Sequence, residues 1–521
     1  MPVLKLSEIS RLTSSDDAEH ISLVFGGRKT TARELDDRVN QVANGLIALG
    51  VVPQERVAIL DLNSDQFYEL WLGTSRAAAV LVPLNSRVSA KEAAQILADC
   101  RPRVLFIGSM YLEMLEAIRS ELPSLEHVIV TGEQYASWRD AQSDLEHAPD
   151  TTEKDVCLQI YTSGTTGASK GVQITSENLF KTAMGAFATG EPHPCRTIGS
   201  SDAALLCMPH GHIAASILGV LGLARGTRLV IVNQFIPLEI AALIDREQIT
   251  FTILVPVMVR ALISALDSSG TSCQSLRNIV YGAAPMPSSL LKVAMARLPH
   301  VDFGQIYGLT ETAGPISYLS PEDHRTIARG DTELALSCGR ATAGVELGIV
   351  GDDGLPLDAG EVGEIICRSE QVMVGYWARP NETSDVIKGG WLYTGDMGYM
   401  DTCGYLYIHD RKRDMIITGG ENVYPAEIEN LLYEHPAVAD VAVFGVPDEQ
   451  WGEAVKAVVV VKQGAQVTAD ELIAFAKGKV AGFKVPKSVD FADNLPRNTT
   501  GKVLRRLVRE PYWKSQGRDV A

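Results

Sequence analysis

The run Tyr161-Thr162-Ser163-Gly164-Thr165-Thr166-Gly167-Ala168-Ser169-Lys170-Gly171-Val172 concentrates more chemistry than any other stretch of the chain. It follows an apolar run, Val156 to Tyr161, that predicts a buried strand. Glycines let backbone N–H groups approach anionic oxygens, hydroxyls add donors and Lys170 supplies a point charge, so the pattern predicts a phosphate cradle. A helix is expected near Thr175-Ser176-Glu177-Asn178, where capping residues cluster, which makes the unit a strand, a glycine-rich loop and a helix. The run is not a Walker A loop, because G-x-x-x-x-G-K-[ST] fails from Gly164. It fails again at Gly501-Lys502, where Pro496 and Val503 occupy the first glycine and the hydroxyl positions. A plain surface turn would explain the glycines but not a lysine closing a strand-bounded hydroxyl run.

Five further motifs follow in order: Tyr281-Gly282-Ala283-Ala284-Pro285, Tyr307-Gly308-Leu309-Thr310-Glu311, Tyr393-Thr394-Gly395-Asp396, the run Arg411 to Glu429, and Asn498-Thr499-Thr500-Gly501-Lys502. Glu311 is a hard oxygen ligand suited to a metal that also takes phosphate. Asp396 is either an Asx-turn residue or a carboxylate that accepts from two neighbouring hydroxyls.

The elements that must carry these residues alternate. Val57-Ala58-Ile59-Leu60, Val104-Leu105-Phe106-Ile107, Val128-Ile129-Val130 and Leu229-Val230-Ile231-Val232 predict buried parallel strands. Segments near 66–79, 89–99, 237–247 and 256–266 predict the helices between them, an α/β architecture. From about 330 to 410, short runs split by Gly and Asp turns predict antiparallel strands and a small β-barrel. Beyond the charged cluster Asp410-Arg411-Lys412-Arg413-Asp414, helix near 425–434, strands at Asp440 to Val446 and Val455 to Val461, and helix near 469–479 predict a separate α+β unit. The expected division is 1–412 for a large N-terminal domain and 413–521 for a smaller, mobile C-terminal domain.

Bulk properties narrow the function. The 521 residues exceed one comfortable core, and 46% hydrophobic with 21% charged residues is ordinary for a soluble enzyme. A formal charge of -17 argues against a nucleic-acid-coating protein. The N-terminus lacks a signal-peptide core, and the apolar stretch Ile213 to Ala224 is too short to span a bilayer. Eight scattered cysteines, without a Cys-x-x-Cys pair, fit reduced thiols and a cytoplasmic location. Cys195, Cys207, His210 and His212 match no standard metal-ligand spacing.

Together the six motifs resemble the adenylate-forming superfamily of acyl-CoA synthetases, nonribosomal-peptide adenylation domains and beetle luciferases, from about Thr30 to Arg506. The resemblance implies ATP, Mg²⁺ and CoA as reaction partners. It assigns Thr162, Ser163, Gly164, Thr165, Thr166, Gly167 and Lys170 to the β- and γ-phosphates. Gly282, Ala283, Ala284, Gln305, Tyr307 and Gly308 would surround the adenine and the acyl group, and Thr310 would touch the α-phosphate. Glu311, with Thr165, would hold Mg²⁺, and Asp396 with Arg411 would hold the ribose. The family's catalytic lysine falls on Lys502, a cation set between two anions that must approach, the substrate carboxylate and the α-phosphate. Gly419 and Gly420 would leave room for the pantetheine arm after the C-terminal domain rotates. Trp451, Phe483 and Lys487 match positions that contact the rest of CoA.

Two departures from the family's pattern stand out. Arg413 occupies the hinge, where Asp or Lys is usual. Gly211 replaces a large residue before His212, the gate beside the reacting carboxylate. With Ala214 and Ala215, Gly211 is expected to widen an acyl tunnel that carries no acid to pair a substrate amine. The expected reaction is ATP-dependent acid:CoA ligation of a medium- or long-chain fatty acid, with alicyclic, steroid-side-chain or aryl acids as the alternative. Loading of a carrier-protein thiol and a nucleotide-binding scaffold are the competing functions. The partners are small molecules without nucleic acid, and a homodimer stays open.

Overall fold

The structure is a computed structural model that describes residues 4–146, 149–162, 169–284, 286–331, 333–411, 414–497 and 503–514. Two large sheets form the body. One has seven strands. Arg56–Leu60, Val80–Pro83, Val104–Ile107, His127–Val130 and Val156–Thr162 run parallel, and Lys170–Thr175 and Gly375–Tyr376 close one edge antiparallel. The other has nine. Ile21–Phe25, Arg228–Ile231, Ala203–Leu206, Phe251–Leu254, Asn278–Gly282 and Asp302–Leu309 pair in parallel. Antiparallel strands flank both ends of that run, Arg28–Thr31 at one and Gly314–Leu319 with Arg340–Ala341 at the other. The central strands are buried along their length, as parallel strands covered by helices on both faces must be.

Helices fall where periodicity places them, at Gln66–Arg76, Ala90–Cys100, Pro237–Arg246 and Pro256–Ser269. The expected helix over 66–79 stops early because Ala78 takes a left-handed φ of 55°. The apolar stretch Ile213–Ala224 is a buried helix, and among the described residues no helix is long and apolar enough to cross a membrane.

The region expected to be a small barrel is a five-stranded antiparallel sheet built around Trp391–Met400. Among the described residues its outer strands do not pair with each other.

The C-terminal unit has its own sheet. Val438–Asp448 and Gly452–Val461 pair antiparallel, and Ser488–Phe491 adds in parallel. Side chains alternate across it. Val441, Val443, Val455 and Val459 pack on helices Pro425–Tyr433 and Ala469–Ala476, while Ala442, Phe444 and Val458 face helix Arg505–Lys514.

Candidate active site

A cavity of about 860 Å³ opens where the nine-stranded sheet, the antiparallel sheet and the start of the C-terminal unit meet. Of the residues singled out from sequence, Thr162, Lys170, His212, Ala214, Ala283, Ala284, Gln305, Tyr307, Gly308, Thr310, Glu311 and Asp396 line it. Ser163, Gly164, Thr165, Thr166, Gly167, Arg413 and Lys502 lie outside the described residues, as does the side chain of Arg411.

The phosphate run is built differently from the expected strand, loop and helix. Lys170–Thr175 is itself a strand, paired antiparallel with Val156–Thr162, so Thr162 and Lys170 face each other across a hairpin. The helix begins only at Ser176, where Thr175 and Asn178 form a capping box. The loop therefore does not open a helix, and no helix N-terminus adds its dipole there. Gly171 is needed for this pairing, since a Cβ would stand 2.7 Å from the Gln159 amide.

At the polar end, the Tyr307 hydroxyl donates to Asp396 Oδ2 at 2.7 Å. Burial and the adjacent carboxylate raise the tyrosine's pKa well above its ordinary value, so the phenol stays a donor. Asp396 is directly opposite Arg411 in the strand register, which places the two expected ribose residues side by side. Glu311 accepts from the Tyr376 hydroxyl at 2.8 Å, and the same ring lies 5.0 Å below the Lys170 ammonium. Lys170 also pairs with Glu382 at 2.6 Å. The result is a cation and a carboxylate held on one aromatic ring.

The other end is apolar. His212 caps helix Ile213–Ala224, its Nδ1 accepting from the Ala214 N–H at 3.3 Å. Burial pushes its imidazole down to about 4, so it stands neutral beside the cavity. Ala214, Ile217 and Leu221 follow at helical spacing along the wall.

Three sequence expectations are corrected here. Gly211 does not widen the cavity, because a Cβ there would lie 3.3 Å from the Leu84 carbonyl oxygen, so the missing side chain makes room for backbone. Ala215 points into the core at 2% exposure. Gly282 is a strand end whose Cβ would lie 2.5 Å from the Ile306 carbonyl oxygen, so it permits strand pairing and leaves the wall to Ala283 and Ala284. As for metals, no group of three or more potential ligands assembles among the described residues, so Cys195, Cys207, His210 and His212 form no cluster.

From the C-terminal unit, Ala426, Asn430 and Arg505 reach the cavity. Arg505 donates to Asp410 at 2.7 Å and takes both oxygens of Glu429, at 3.0 and 2.7 Å. Burial opposes its charge, but these carboxylates more than offset that and raise its pKa well above the ordinary value. The ion triad ties the last helix to the strand that ends at Arg411. Gly419 and Gly420 form a hairpin tip outside the cavity, with φ of 60° and 85°. Gly419 packs against Trp451, where a Cβ would come within 2.7 Å of the indole. Trp451, Phe483 and Lys487 are exposed and also outside it.

Sequence reasoning missed Tyr376, Glu382, Arg505 and His193. The first two lie in Gly375-Tyr376-Trp377 and the turn after it, where an aromatic pair before Pro380 is the only local signal.

The arrangement defines a nucleotide-dependent enzyme with a two-ended cavity and a C-terminal lid unit. The chain belongs to the AMP-binding enzyme family, in its acyl-CoA synthetase branch: the family's profile matches residues 13–377, and that of the AMP-binding enzyme C-terminal domain matches 427–502. It is 36% identical to the fatty acid–[acyl-carrier-protein] ligase ScoC of Streptomyces coeruleorubidus, over 98% of this chain and 97% of that protein. It is also 36% identical to the long-chain-fatty-acid–CoA ligase FadD13 of Mycobacterium tuberculosis, over 93% of both. The crystal structure of the anthranilate CoA ligase AuaEII with anthranoyl-AMP superimposes with a TM-score of 0.90 at 27% identity, covering 99% of both chains.

Proposed function

We propose that the protein joins an apolar carboxylic acid to CoA in two steps within this one cavity. The acid and ATP form an acyl-adenylate and pyrophosphate, and the CoA thiol then displaces AMP to give a thioester. The observation that carries the reading is the cavity's polarity. Lys170, Glu311, Tyr307 and Asp396 gather at one end, and an uncharged helix face begins at His212 on the other. A neutral imidazole next to a carboxylate neither traps it as an ion pair nor repels it. Because 860 Å³ must hold the adenylate as well as the acyl group, a medium-chain fatty acid or a ring acid of similar length fits best.

Mg²⁺ fits the donor set, since the Glu311 carboxylate borders the cavity and is aimed by Tyr376. When bound, the ion would neutralise phosphate charge. Asp396 and Arg411 would orient the ribose, and Lys502 would lie between carboxylate and α-phosphate. The domains would divide at 1–412 and 413–521. The Arg505 triad would hold the lysine-bearing end toward the cavity for adenylation. Rotation about Arg413 would then bring Gly419, Gly420, Trp451, Phe483 and Lys487 round for the thiol.

Pyrophosphate release across an acid panel, with thioester formation scored with CoA, tests the reading. Release with no acid would sink it. The similarity to a carrier-protein ligase over 98% of the chain favours a second acceptor, a carrier-protein thiol. Thioester formed on a phosphopantetheinylated carrier but not on free CoA would decide for that acceptor.

A further inference from the structure

The apolar end of the cavity contains a polar side chain that adenylation does not use. His193 follows helix Ser176–Thr189, lines the cavity and is 7% exposed. Its ring meets Phe187 edge to face, with centroids 5.1 Å apart. Phe187 in turn lies 5.0 Å beneath the guanidinium of Arg225, the C-terminal cap of helix Ile213–Ala224. His212 caps the other end of that helix. The two imidazoles thus mark opposite ends of the wall formed by Ala214, Ile217 and Leu221. Seven residues from Ala214 to Leu221 advance about 10 Å along a helix axis.

The hydrogen bonding of His193 determines which nitrogen carries its proton. The Cys195 N–H donates to Nδ1 at 3.1 Å, so the neutral ring bears its hydrogen on Nε2. Burial keeps it neutral by pushing the imidazole down to about 4. Among the described residues no group accepts from Nε2–H. Ile217, Leu221, Ile253, Met286 and Leu336, on the same cavity, have no side-chain acceptor to offer. A buried donor without a partner is costly, and a ligand oxygen removes that cost.

We propose that His193 reads an acceptor oxygen at the far end of the acid, about 10 Å from its carboxylate. The ligand class is a medium-length or ring-bearing carboxylic acid with a distal keto or ether oxygen. The proposal rests on the ligase reading, which places the carboxylate at His212. An unsubstituted alkyl or aryl acid fills the same space but leaves Nε2–H unsatisfied, and sites built to pair a polar group discriminate strongly against analogues that lack it.

The test compares matched acids by kcat/KM for pyrophosphate release: nonanoic against 8-oxononanoic acid, and 3-phenylpropanoic against 3-(4-methoxyphenyl)propanoic acid. The oxygen-bearing member of at least one pair should be favoured about tenfold or more. His193→Phe should bring that ratio close to one, and His193→Gln, which keeps an N–H, should restore part of it. If His193→Phe does not fold, His193→Leu makes the same comparison. Equal turnover within both pairs, or a preference that survives loss of the imidazole, overturns the assignment. Wild-type protein that releases no pyrophosphate with any acid overturns the ligase reading itself, a result distinct from turnover without discrimination.

Discussion

Tyr307 and Asp396, 89 residues apart, are joined by a 2.7 Å hydrogen bond that links the nine-stranded sheet to the antiparallel sheet across the cavity. The phenol holds one carboxylate oxygen in a fixed direction. Tyr307→Phe keeps the ring and removes that hold. Hydrogen bonds to charged groups contribute about 1.5–3 kcal/mol, so kcat/KM for ATP should fall about tenfold or more. Unchanged ATP kinetics would mean the ribose is held elsewhere.

Lys502→Ala separates the half-reactions. With no cation between carboxylate and α-phosphate, acyl-adenylate formation should drop by about 10²–10³-fold, the cost typical of losing one electrostatic stabiliser. Thioester formation from supplied acyl-adenylate should stay within a few-fold of wild type, since the thiol step needs no such cation. Equal losses in both steps would remove the lysine from its assigned role.

Tyr376 aims Glu311 and supports Lys170 on the same ring. Tyr376→Phe keeps the ring under Lys170 but frees the carboxylate. Loss of such a supporting contact typically weakens a metal site about 10–100-fold. The Mg²⁺ concentration for half-maximal pyrophosphate release should therefore rise by about tenfold or more. An unshifted magnesium titration would show that Glu311 does not meet the ion.

Periodicity made the sheets and helices of the body legible, because buried parallel strands read as short apolar runs. The strand Lys170–Thr175 escaped notice because its six residues run directly into the capping cluster at Thr175–Asn178. Ile21–Phe25 pairs with Arg228–Ile231, a partner two hundred residues away that no local pattern announces. The motif residues around the cavity were legible as types in order. Gly211 shows the limit: a missing side chain signals a close approach without saying whether ligand or backbone fills the gap. Arg505 was invisible for the opposite reason, since Asp410 and Glu429 converge on it only in three dimensions.

Buried histidines set the acid limit of stability. Burial pushes His193, His212 and His324 down to about 4 and His210 to about 3, against about 6.5 in an unfolded chain. Below about 6.5 the unfolded state takes up protons that the folded state refuses, so this stabilisation is complete above that pH and is lost as pH falls toward 4. The melting temperature should therefore hold from pH 8 to about 6.5 and decline below it. His210 makes the sharper test, because both ring nitrogens lack a partner while the ring packs 4.6 Å from Phe67. His210→Phe keeps an aromatic ring there and should shallow the decline; an identical pH profile would dissociate His210 from it.

Gly420 carries the most selective prediction, because its position asks for glycine on backbone grounds while its surroundings leave space. Its φ of 85° disfavours any side chain, yet a Cβ there would meet nothing within 4 Å. A glycine forced by packing would instead have a neighbour, as Gly419 has in Trp451. The open space is thus unused in the present arrangement, where the hairpin tip stands clear of the cavity. If rotation about Arg413 brings this tip to the cavity for the second step, a side chain would stand in the path of the pantetheine arm. Gly420→Leu should therefore leave acid-dependent pyrophosphate exchange within a few-fold of wild type and cut thioester formation by at least an order of magnitude. Backbone strain alone would lower the melting temperature and both half-reactions together. Loss of exchange before thioester formation would place the tip in the adenylation step and reverse the assignment.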